Sequence, residues 1–173
     1  MTLLVSLNAM EVHYMIELYH GSNITIQEID LTKGRIGKDF GQGFYLSDER
    51  HQAMRMAMLV SRREGFGEPT LNTFLFDETL LTSGELKVLK FESYTSEWAE
   101  FILLNRQNTS PTPTHDYDIV YGPIANDRVG LQIKRLEQGI QSPQEFLQNV
   151  KFIHPTFQYY FGTPKAIKNL QRL

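Results

Sequence analysis

Two segments near the start of the chain set chemically capable residues at the ends of short apolar runs. Leu18-Tyr-His-Gly-Ser22 places His20 beside Gly21 and Ser22, and Asp39-Phe-Gly-Gln-Gly-Phe-Tyr-Leu-Ser47 places Tyr45 after Gly41, Gly43 and Phe44. Imidazole supplies a hydrogen-bond donor or acceptor, a tyrosine ring supplies a stacking face, and a glycine lets the backbone approach a ligand closely. Together these groups can build a nucleotide pocket. Each also has a plainer reading: a strand-end histidine satisfied by a carbonyl, a core aromatic, and a tight turn at Gly41 and Gly43. The two commonest nucleotide motifs are absent, because Gly-x-Gly here lacks the third glycine and no Gly-Lys-Ser/Thr loop occurs.

Further candidates are carboxylates. Asp39 opens the glycine turn and can orient a ligand hydroxyl or bond its own backbone. Tyr117-Asp-Ile-Val-Tyr-Gly-Pro-Ile-Ala-Asn-Asp127 ends a short β-rich run, so Asp118 and Asp127 can reach a cleft rim. Against this, Asp127 also suits a helix N-terminus and Asp118 a cap or strand bridge. Arg50, Arg55, Arg62 and Arg63 give the segment after Tyr45 a basic character suited to a pyrophosphate, to a nucleic-acid acceptor or to plain solvation. No metal is expected, since His13, His20, His51, His115 and His154 are scattered and cysteine is absent. Ser22 and Ser47 have no base arranged for nucleophilic attack.

These residues need strands and helices to hold them. Met15–Tyr19, Gly43–Leu46, Thr70–Phe76, Leu86–Phe91, Tyr117–Tyr121 and Phe157–Phe161 read as strands. Ser47 is expected to cap a helix with Asp48 and Glu49 in its first turn, running to Arg62 and Arg63 and stopping at Gly65. Trp98, Phe101 and Ile102 give a second helix an apolar face, and Asn105 to His115, with Pro111 and Pro113, reads as a loop. Asn126 to Gln138 suits a helix, Ser142-Pro-Gln-Glu145 forms a capping box, and Thr163-Pro164 opens a last helix. Alternating strand and helix signals give an α+β fold.

With 173 residues the chain has the length of one domain, 1–173, able to bury roughly two-thirds of its unfolded surface. Residues 1–14 read as an N-terminal extension, with Met10 an alternative start. The apolar opening is too short to span a membrane and lacks a basic leader. A content of 41% apolar and 21% charged residues is that of a soluble protein, and a net charge of −3 gives no general attraction to nucleic acid or anionic lipid. The lack of cysteine fits a reducing cytoplasm.

The His20 and Tyr45 segments, with Trp98, the Tyr117–Pro123 run and Gln158-Tyr-Tyr-Phe161, resemble the ADP-ribosyltransferase superfamily. The likeness is to its His-Tyr-Glu-like subgroup, in a bacterial branch with glutamine at the third position. The resemblance implies split β-sheets with a cleft and flanking helices. It implies NAD as substrate, bound by His20, Gly21, Ser22, Gly43, Phe44 and Tyr45. By that resemblance, His20 bonds the ribose hydroxyls, the Gly21 backbone meets the carboxamide, and Tyr45 stacks on nicotinamide. Gln158 occupies the position of the glutamate that stabilises the oxocarbenium ion, so His20, Tyr45 and Gln158 form the catalytic set. Asp39, Asp118 and Asp127 become candidates for acceptor recognition or for bracing the pocket. A glutamine keeps the acceptor carbonyl and adds a donor but gives up the negative charge. The implied activity is transfer of ADP-ribose to an intracellular acceptor, protein or nucleic acid, as in the toxin of a toxin-antitoxin pair with an antitoxin partner. A non-catalytic nucleotide-binding module acting through a protein partner is the alternative.

Overall fold

The computed structural model describes residues 14–173, so the expected extension, apart from Tyr14, and the start at Met10 lie outside the described residues. Strands and helices combine in an α+β arrangement of two open sheets with flanking helices. The first sheet has the order β1-β3-β7, formed by β1 (Met15–Ser22), β3 (Thr70–Asp77) and β7 (Gln171–Arg172). The second has the order β2-β6-β5-β4, formed by β2 (Phe44–Leu46), β6 (Phe157–Phe161), β5 (Ile119–Pro123) and β4 (Val88–Lys90). Among the described strands only β4 and β5 run parallel, and the segment between them carries a helix, as a parallel crossover requires.

The sheets meet edge to edge. Tyr19 and Ser47 exchange two backbone hydrogen bonds of 2.8 and 2.9 Å, joining the middle of β1 to the residue just after β2. This bridge corrects the expected cap. Ser47 has its backbone committed to Tyr19, and its hydroxyl accepts from the Glu49 amide at 3.0 Å in a turn ahead of the helix. Helix α1 therefore begins only at Arg50 and runs to Glu64, with Glu49 at the N-cap making no side-chain cap bond. The helix ends as expected on Gly65, in left-handed geometry.

Period-two alternation divides the second sheet between two cores. Phe44, Leu46, Tyr159, Phe161 and Ile119 pack with Leu18, Phe74 and Phe76 of the first sheet. Tyr160 and Val120 point the other way, to Phe40 and to α2 (Ser96–Gln107), α3 (Asp127–Glu137) and α4 (Pro143–Val150). Trp98 is fully buried there, and its indole N–H donates to the Pro123 carbonyl at 3.2 Å. Helix α4 carries the expected capping box, with Ser142 and Glu145 each bonding the other's backbone. The last helix, α5 (Pro164–Ile167), is a single turn, and the chain after it pairs with β3 as β7.

Candidate functional site

The junction of β1 and β2 opens into a cleft of about 430 Å³, within the ~300–1,000 Å³ range typical of small-molecule sites. His20, Gly21, Ser22, Asp39, Gly43, Tyr45 and Gln158 all line it. Three strands from the two sheets thus bring the histidine, the tyrosine and the glutamine to one cleft. Tyr45 faces Tyr160 across the β2–β6 register, and Gln158, two residues before Tyr160, shares that side of the sheet.

His20 is half-buried, with Nδ1 2.7 Å from the Tyr45 carbonyl oxygen. A carbonyl only accepts, so Nδ1 carries the proton and Nε2 keeps its lone pair. Burial holds the imidazole below the ordinary histidine range, and the bond to Tyr45 partly opposes this. The ring stacks on Phe44 at 4.3 Å between centroids. Phe44 is where one expectation fails. Its side chain points into the inter-sheet core against Phe74, because alternation along β2 sends Phe44 and Tyr45 to opposite sides. Phe44 therefore supports His20 from behind and does not line the cleft.

Tyr45 uses both parts of its side chain. The ring packs edge-on against Tyr160 at 5.4 Å, while the hydroxyl donates to the Gly41 carbonyl at 2.7 Å and accepts from the Phe40 amide at 3.0 Å. Burial pushes the phenol well above its usual range, so it stays protonated. Gly41, at φ 98°, lets the chain turn beneath this hydroxyl. Gly21 is demanded by packing. A Cβ there would lie 2.0 Å from the Ala53 carbonyl oxygen and 2.6 Å from the Ala57 amide nitrogen, because the small residues Ala53 and Ala57 let α1 press onto β1.

Gln158 is half-buried, and its side-chain Nε2 is buried without a hydrogen-bond partner. Leaving a buried donor unmet costs about 1–3 kcal/mol, a cost that a ligand in the cleft would relieve.

The other carboxylates divide. Asp39 lines the cleft and pairs with Arg106 at 2.8 Å. Asp118 is buried away from it, accepting from the Lys87 amide at 2.8 Å and the Thr163 hydroxyl at 2.5 Å. Its oxygens are spent tying the residue before β4 and the N-cap of the last helix to the start of β5, so it braces that end of the sheet. Asp127 is exposed at the first position of α3, where a negative charge complements the helix dipole and the cap is Asn126. Neither Asp118 nor Asp127 lines the cleft. From that stretch the cleft takes instead Ile124 and Ala125.

Besides Arg63, which the basic segment after Tyr45 already marks, the cleft gathers cations that the sequence reading does not single out. Lys33, Arg35 and Lys38 on the loop before β2, Arg63 at the end of α1 and Arg106 at the end of α2 line the cleft, with Asp39 the one carboxylate among the described residues lining it. The loop is pinned: Gln42 donates to the Thr32 and Gly34 carbonyls, and His115 donates from Nε2 to the Phe40 carbonyl at 2.8 Å. Lys38 is exposed overall, but partial burial of its ammonium lowers its pKa, Asp39 raises it, and Arg35, Arg63 and Arg106 lower it further. The signal was present as three cations within Lys33-Gly-Arg-Ile-Gly-Lys38, immediately before the glycine turn.

Among the described residues no group of three or more histidines or carboxylates is placed to hold a metal. Likewise, no described helix is long and apolar enough to cross a membrane. No curated protein and no solved structure matches the chain. A family match does exist and covers residues 16–172, nearly the whole of the described chain. The chain belongs to DUF3990, a family of proteins of unknown function.

Proposed function

We propose that the cleft binds NAD and that the protein is an ADP-ribosyltransferase. The observation that carries this reading is the meeting of His20, Tyr45 and the unpartnered Gln158 amide in one cleft that also gathers five cations. The nicotinamide ring stacks on Tyr45, and the lone pair of His20 Nε2 accepts a ribose hydroxyl proton. Gln158 meets a ribose oxygen with its free N–H, and the basic loop faces the diphosphate. In the reaction, the bond between ribose C1′ and the pyridinium nitrogen breaks and its electron pair neutralises nicotinamide, which leaves. A nucleophile on the acceptor then bonds C1′ and loses its proton to solvent. The leaving group is good, so holding the ribose in place is the larger part of catalysis.

The neutral Gln158 favours a second reading, in which the same pocket binds a nucleotide without turnover, because an amide stabilises an oxocarbenium ion less than a carboxylate does. One experiment separates the two. The full chain is incubated with NAD and cell lysate, with nicotinamide release followed by chromatography, ADP-ribose adducts by mass spectrometry, and NAD binding by calorimetry. Release with adducts supports the transferase, and binding without release supports the module. Absence of both binding and release overturns the NAD reading.

A further inference from the structure

The basic charge around the cleft extends beyond its lining. Lys33, Arg35, Lys38, Arg50, Arg55, Arg62 and Arg63, seven of the chain's 17 lysines and arginines, fall within residues 31–64. Only Asp39, Asp48, Glu49 and Glu64, four of its 20 acids, lie in the same stretch. A chain of net charge −3 thus carries a stretch of +3, and that stretch wraps the cleft. Two of the five cleft cations are matched by carboxylates, Arg106 by Asp39 and Arg63 by Glu64 at 2.9 Å. A diphosphate would answer two of the remaining three. That leaves the exposed arginines of α1 without a role at the NAD site.

Those arginines form a stripe. Gln52, Met56, Val60 and Arg63 turn one side of α1 toward the cleft. At helical spacing the neighbouring side carries Arg55, Leu59 and Arg62, and Phe66 follows just past the Gly65 cap. All four are exposed, Leu59 at 57% and Phe66 at 62%, and among the described residues neither Arg55 nor Arg62 makes an ion pair. Cations alternating with an aliphatic and an aromatic side chain beside a basic cleft match a flexible polyanion with stackable bases. An acidic protein surface would satisfy the arginines but leave Phe66 and Leu59 in water.

We propose that the ADP-ribose acceptor is a single-stranded nucleic acid, its backbone running along Arg55 and Arg62 and one nucleotide entering the cleft past the Lys33–Lys38 loop. A duplex is too wide for a cleft of about 430 Å³. A nucleophilic nitrogen or oxygen of the entering nucleotide attacks C1′ as nicotinamide departs. This rests on the NAD reading for the transfer step, but binding of the strand does not.

The test titrates the full chain into a fluorescently labelled single-stranded oligonucleotide of mixed sequence. Anisotropy is read over a range of salt concentrations, beside calorimetry with NAD alone. The wild type should bind, with affinity falling steeply as salt rises, by about 0.7 log units per log unit of salt for each phosphate contacted. Arg55→Ala with Arg62→Ala should weaken the strand about tenfold or more and flatten that slope by about 1.4, with NAD binding and the melting temperature unchanged. With labelled NAD and cell lysate present, label should appear on the strand. No strand binding at low salt, an unchanged affinity in the double variant, or label found only on lysate proteins each overturns the proposal. Strand binding that depends on the two arginines, in a protein that does not bind NAD, overturns the NAD reading and leaves the strand site standing.

Discussion

The hydroxyl of Tyr45 donates to the carbonyl oxygen of Gly41 across 2.7 Å. With the bond it accepts from the Phe40 amide, this makes a single side chain both a wall of the cleft and the fastening of the loop behind it. Tyr45→Phe preserves the ring and strands two backbone groups, so it should destabilise the fold by about 1–3 kcal/mol, measured by urea denaturation. Tyr45→Ala should lose the stacking face as well and weaken NAD binding more than Phe does. A Phe variant as stable as wild type would show that the hydroxyl holds nothing in place.

Gln158 sets stability against function. Gln158→Leu removes the unmet buried donor and should gain about 1 kcal/mol in unfolding free energy, while NAD turnover disappears. Gln158→Ala should lower the rate roughly ten- to a thousandfold, and Gln158→Glu should retain or raise it by adding charge next to the oxocarbenium ion. Equal turnover in all four proteins, read as nicotinamide release, removes Gln158 from the mechanism.

Gly21→Ala tests whether that glycine serves packing. The new methyl would meet backbone atoms of Ala53 and Ala57, which cannot rotate away, so the cost should reach about 3 kcal/mol, the upper end of overpacking penalties. Chemical denaturation checks it, and wild-type stability in this variant would mean that α1 does not press on β1 as described.

Acid should destabilise the protein through two histidines. Burial lowers the pKa of both His20 and His115 in the folded state. His115 is bonded on both sides, donating to Phe40 and accepting at Nδ1 from the Tyr117 amide at 3.2 Å. The unfolded chain therefore takes up protons first, at the ordinary value near 6.5. Their contribution is fully present above that pH and is lost as pH falls below it toward the folded values. Melting temperature should decline between about pH 7 and 5, and less steeply in His115→Gln, where one of the titrating groups is gone. Equal slopes would take His115 out of the linkage.

Much of this was legible in the residues. The strand from Phe157 to Phe161, the Ser142 capping box and the helix ending at Gly65 follow from local pattern, and local pattern is what fixes them. The apolar runs put His20 and Tyr45 on or beside strands, but β1 continues past the expected end at Tyr19 to Ser22, so His20 lies within it, and Tyr45 is the middle residue of β2. The Lys33–Lys38 cations were a local signal, but other parts of the site depend on distance in sequence. Arg106 reaches Asp39 across 67 residues, and no spacing rule brings the end of one helix to a loop that far away. Helix α1 starts later than local pattern suggests because Ser47 is drawn into a backbone pair with Tyr19 of another strand, and its hydroxyl bonds the Glu49 amide in a turn ahead of the helix. Phe44 and Asp118 were misplaced for a related reason. Which side of a strand faces a ligand is set by what the rest of the chain packs on the other side.

The Tyr19–Ser47 bridge has a consequence for solubility. Both β1 and β2 are edge strands of their own sheets, and a bare edge invites pairing with other chains and aggregation. Where the two edges meet, each shields the other, and α1 lies across β1 just beyond. A substitution that parts Tyr19 from Ser47 would therefore bare two templates for intermolecular pairing at once, and light scattering should register that damage before any ligand assay does.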